Sequence, residues 1–214
     1  MNSAVDLILI FLILSNLALL GLSRMGTCIR VAALQGVALG LLPLFLVESG
    51  PAAHQLFFSA LLIGLKGIVF PWLLTVVLRE IQVQREIEPF IGYGSSLALG
   101  TVFLIVSLWL GSRLPLPVSM QSGLIVPSAF FTIMSGFFLI IARKKALTQV
   151  LGYLVLENGI YAFGAALSEN QPVLIELGIL LDLFAAAFVM GIAVFHINRE
   201  FEHIDTDKLS GLRT

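Results

Sequence analysis

Seven apolar runs, each long enough to cross a bilayer, leave this chain very few possible folds. They are Ser3–Leu22, Val31–Val47, His54–Leu78, Pro89–Leu110, Met120–Ala142, Gln149–Leu167 and Val173–Ile197. A span needs about 20 apolar residues to traverse ~30 Å of hydrocarbon. Inside lipid every backbone N–H and C=O must be satisfied within the protein, which leaves helices or a closed barrel. The runs are continuous rather than alternating with period two, so they read as helices. The expected fold is all-α, a polytopic membrane bundle of seven transmembrane helices in a single domain over 1–214, ending in a tail over 198–214. Composition agrees: 12% of residues are charged, about half the usual share for a soluble domain. The connections are short and are expected to leave no room for a soluble domain, a nucleotide or a large redox cofactor.

Positive charge orients the bundle. Arg24 and Arg30 follow the first span, Arg79 and Arg85 the third, Arg143, Lys144 and Lys145 the fifth, and Arg199, Lys208 and Arg213 the seventh. The opposite loops hold only Arg113. The positive-inside rule then predicts an outward N-terminus and a cytoplasmic C-terminus. The net charge of −1 gives no reason to expect nucleic acid. The single Cys28 falls in an expected cytoplasmic loop and can form no internal disulfide. No Cys/His spacing resembles a metal site, and no nucleophile constellation is present, so neither a metal, a cofactor nor a catalytic residue is expected in this chain. The first span carries Asp6 and lacks a basic n-region, so it reads as a retained helix rather than a signal peptide.

Three charges interrupt the apolar runs. Helical rise places Lys66 about 18 Å from the outer end of the third span, Glu157 about 12 Å from the cytoplasmic end of the sixth, and Asp182 about 14 Å from the outer end of the seventh. All three fall near mid-depth, where a charge costs about 2.5–3.5 kcal/mol on insertion scales. Glu176 is shallower, about one turn inside the outer surface, and reads as interfacial or as a further member of the path. Tyr153 and Tyr161 lie one turn either side of Glu157, and Asn158 is adjacent. Two acids and one base at one depth point to a hydrated proton or ion path through Lys66, Glu157, Asp182, Tyr161 and Glu176. The plainer alternative is a fixed ion pair between Lys66 and Glu157 or Asp182. Pro71, five residues after Lys66, removes a backbone donor and clashes with the Gly67 carbonyl, predicting a kink beside the lysine. Gly36-x-x-x-Gly40 permits close helix packing and carries no functional message by itself.

These residues resemble a known family. The stretch Leu151–Gly159, followed by Ile175-Glu-Leu-Gly-Ile-Leu-Leu-Asp182, resembles hydrogenase-4 component E, and the similarity extends to Lys66 with Pro71 and to the tail from Ile204 to Leu212. That family supplies a membrane subunit to energy-converting NiFe hydrogenases and formate hydrogenlyase-type complexes. The last three spans, roughly 120–197, are also similar to the K subunit (chain 4L) of respiratory complex I, which holds glutamates in its second and third helices. Glu157 is displaced about a turn from the nearer family glutamate, and Asp182 lies close to the position of the other without matching it. The resemblance implies a multi-pass, non-catalytic subunit of the cell inner membrane that contributes buried charges to proton or sodium translocation. The implied partners are antiporter-like membrane subunits, lipid, and cytoplasmic hydrogenase-like or iron–sulfur subunits, with the NiFe and iron–sulfur centres held by those partners. A subunit of a multi-subunit cation/proton antiporter and a purely structural membrane spacer are the other two readings.

Overall fold

A computed structural model of the protein describes residues 3–45, 53–80, 90–114, 122–167 and 191. These residues are 91% helical and contain no strand. The elements are α1 (Ser3–Gly21), α2 (Met25–Phe45), α3 (Ala53–Leu62), a π-helical segment π1 (Ile63–Val69), α4 (Phe70–Glu80), α5 (Tyr93–Arg113), α6 (Ile125–Ala142) and α7 (Ala146–Leu167). Leu62 and Phe70 both keep right-handed helical angles, so α3, π1 and α4 form one unbroken rod.

Among the described residues, five helices are long and apolar enough to span a membrane: α1, α2, the rod, α5 and α6. The protein is therefore a multi-pass membrane protein. With 22 residues, α7 is also of membrane length, but Gln149, Glu157 and Asn158 reduce its apolarity. The expected seventh span, with Asp182 and Glu176, lies outside the described residues except for Gly191, so six of the seven expected rods are seen. The boundaries shift most in α2, which begins at Met25 rather than Val31. Its first turn bonds directly onto the α1–α2 turn, with Thr27 and Cys28 N–H donating to the Arg24 carbonyl. Cys28 is consequently a buried helical residue rather than a loop residue.

The helices pack through small residues, as lipid-immersed helices must, because lipid offers no hydrophobic drive for association. The most extensive contact is the antiparallel α6–α7 hairpin. A Cβ at Gly136 would strike the Leu156 backbone, one at Gly152 the Ile140 amide, and one at Gly159 the Ile133 amide. Helix α2 is central and touches α1, the whole rod and α7.

Two apolar cores result. One gathers Leu19 and Leu20 of α1, Met25 and Ala32 of α2, Phe70 and Leu74 of α4, Leu139 of α6 and Leu154 of α7. The other gathers Leu9 and Leu12 of α1, Leu39 and Leu42 of α2, Ile125 and Ala129 of α6, and Ala162 of α7. On each of those four helices a buried polar residue falls between the two sets: Ser15 and Asn16, Gln35, Thr132, then Glu157 and Asn158. Lys66 of π1 joins them. The bundle is thus a polar layer between two apolar cores.

Candidate functional site

The rod changes its hydrogen-bond register where Lys66 sits. Pro71 has no N–H, and in a regular α-helix its ring would press on the Gly67 carbonyl. At that place the rod makes a π turn: the Phe70 N–H donates to Leu65 O, five residues back rather than four. Widened turns of this kind recur at functional sites. Thr75 also donates its hydroxyl to the Pro71 carbonyl at 2.6 Å.

Small residues seat the lysine. A Cβ on Gly36 of α2 would collide with the Lys66 Cβ and approach its carbonyl carbon at 3.1 Å, and one on Gly40 would collide with Ile63. The Gly36-x-x-x-Gly40 pair therefore does more than permit generic packing, because it brings α2 against the backbone that carries the buried charge.

From that seat Lys66 reaches α7. Its Nζ donates to Glu157 Oε1 at 2.9 Å, with side-chain exposures of 7% and 2%. A second bond runs from Nζ to Asn158 Oδ1 at 3.1 Å. The ammonium also lies 5.8 Å from the centre of the Tyr161 ring, within cation–π range. The structure thus brings together Lys66, Glu157 and Tyr161 of the expected path. Tyr153 sits against the apolar core that contains Leu154. Asp182 and Glu176 lie outside the described residues. Removing both charges from water is offset only when geometry is good and other hydrogen bonds help, and Asn158 and Tyr161 supply that help.

Two polar features were not anticipated from the sequence. Gln35 donates through Nε2 to Ser15 Oγ at 2.8 Å and Asn16 Oδ1 at 2.9 Å. Asn16 in turn donates to Thr132 Oγ1 at 2.8 Å, and Thr132 to the Ser128 carbonyl at 2.6 Å. Gln35 Oε1 has no hydrogen-bond partner among the described residues. The only sequence signal for this network was a scatter of uncharged polar residues in apolar runs, which single-helix reasoning treats as tolerated.

The second is Arg143, expected in a surface loop and found 1% exposed. Its Nη2 donates to the Leu20 carbonyl at 2.9 Å and its Nη1 to Ile91 O at 3.5 Å. Its guanidinium lies 4.5 Å from the Tyr93 ring centre. It ties the end of α1, the start of α5 and the α6–α7 turn together, which places the basic connections of the described residues at one end of the bundle.

Comparison with known proteins gives a consistent picture. Residues 124–214 match the family model of NADH-ubiquinone/plastoquinone oxidoreductase chain 4L. Hydrogenase-4 component E of Escherichia coli is 26% identical over 165 residues, 76% of each chain, and the Shigella flexneri protein of the same name matches to the same extent. An uncharacterized protein of Mycobacterium tuberculosis is 29% identical over 206 residues, 94% of this chain and 92% of its own. No solved structure matches. The resemblance read from Leu151–Asp182 is supported on both counts.

Proposed function

We propose that this chain, a relative of hydrogenase-4 component E whose residues 124–214 match the chain 4L domain, is a non-catalytic membrane subunit of a hydrogenase-4-like or complex I-like energy-converting assembly. It sits in the cell inner membrane with its N-terminus outward and its basic end at the cytoplasm. Lys66 and Glu157, with Tyr161 beside them and with Asp182 and Glu176 of the seventh span expected from sequence, contribute to a path for protons or sodium. The observation that carries this reading is the Lys66–Glu157 contact of 2.9 Å, buried midway along two membrane-length rods. At this separation and burial a change of charge on one member acts directly on the other, which is what a charge chain through the subunit requires. Redox chemistry belongs to partner subunits, because NiFe and iron–sulfur centres need several thiolates and this chain has one cysteine.

Glu157→Gln tests the reading. The substitution keeps shape and most hydrogen bonding while removing the titrating carboxyl. The assembly is expected to remain intact and to lose most of its coupled ion movement, measured in membrane vesicles. Full coupling in an intact Glu157→Gln assembly defeats the proposal in favour of a spacer. Purification from native membranes checks the partners: metal-binding polypeptides should accompany the chain, and recovery of membrane proteins alone would point to an antiporter.

A further inference from the structure

A cavity of about 20 Å³ opens beside Lys66 and Asn158. Besides those two, it is lined by Ala32 and Ala33 of α2, Phe70, Pro71 and Leu74 of the rod, and Leu154 of α7, among others. That volume suits one water, which also requires two or more polar partners. Two are to hand. Lys66 and Asn158 line the space. An apolar void would need neither of them.

The cavity is also one-sided. In α2 its lining residues precede Gly36, the residue seated on Lys66. In the rod they follow Lys66, and in α7 Leu154 precedes Glu157. Each of these steps leads toward the basic end of the bundle. Larger side chains at Ala32 and Ala33 would fill the space.

We infer that this pocket between α2, α4 and α7 is a single-water site that hydrates Lys66 and Asn158 from the basic end of the bundle. The inference deepens the ion-path reading, and rests on it, by naming the side on which the buried pair meets solvent. The water bonds to Asn158 and solvates the ammonium, so the pair is hydrated without opening the core.

X-ray radiolytic footprinting of the chain in its native assembly tests this, since hydroxyl radicals form at bound water and oxidise the side chains beside it. Phe70 and Leu74 are as buried as Leu9 and Leu12, yet they should be oxidised several-fold faster. Ala33→Leu should bring them down to the rate of Leu12. Ala33→Val, a smaller filler, repeats the test if Ala33→Leu does not assemble. Equal rates at Phe70, Leu74 and Leu12 in the unaltered protein, or rates untouched by filling the cavity, would overturn the site. Glu157 does not line the pocket, so the labelling should persist in Glu157→Gln. The water site and the ion-path reading can therefore fail separately.

Discussion

Removing the Lys66 ammonium separates a strut from a relay. Lys66→Met keeps length and apolar bulk but takes the ammonium away from Glu157, which is 2% exposed, and breaking a buried pair costs about 3–5 kcal/mol. The expected outcome is a large loss in thermal stability of the detergent-solubilised assembly, recovered when Glu157→Gln is added. If Lys66 belongs to the path, the double variant stays uncoupled although stable; full recovery of ion movement would leave it a strut. Arg143 gives a second prediction. Arg143→Lys retains the charge but loses the fork that reaches Leu20 and Ile91 and the planar contact with Tyr93. It should destabilise the bundle by about 1–3 kcal/mol, the range for a buried group left without its bonds, as read from thermal melts. Lys66 and Glu157 were legible in the sequence because charge in an apolar run is conspicuous. Arg143 was not, because an arginine in a run of basic residues at a span end looks like any topology signal.

Among the helices, sequence fixed existence better than register. Bilayer thickness forces runs of a certain length, so α1, α5, α6 and α7 appear close to their expected bounds. The π turn was not read from the sequence, although Pro71 marked its place. Pro71 signalled a disturbance beside Lys66, but a missing backbone donor does not fix the register of the turn without knowing what packs alongside. Close packing of α2 supplies the answer, since Gly36 and Gly40 meet the rod at Lys66 and Ile63. Gly36→Ala should therefore act at a distance from its own helix. The added methyl must push π1 away, at a cost of about 1–3 kcal/mol for overpacking, and lower coupling along with stability. Gly94→Ala in α5 is the matching control, with nothing within 4 Å of the new Cβ; it should be neutral in both readouts. Equal behaviour of the two variants would deny Gly36 its role in seating Lys66.

For the molecule as a whole, the basic connections predict the orientation. A reporter active only outside the cytoplasm should be silent when fused after Arg213 and active when fused between Ser168 and Pro172; the reverse would overturn the topology. The polar layer between two apolar cores was not legible, because no single helix reveals it. Asn16, Gln35 and Thr132 look like isolated exceptions until α1, α2 and α6 are brought together.

The Lys66–Glu157 pair also has a history within each newly made chain. Its members are 91 residues apart, so at synthesis rates of 5–20 residues per second Lys66 waits on the order of 5–20 s for Glu157 to be made. During that interval the third span enters the membrane with an uncompensated charge, at about 2.5–3.5 kcal/mol. The contact that seats the buried charge is thus a liability while the chain is being made. A chain truncated before Ala146 should be cleared by membrane proteases faster than the same truncation carrying Lys66→Met. The substitution expected to uncouple the finished assembly should ease the insertion of the unfinished one.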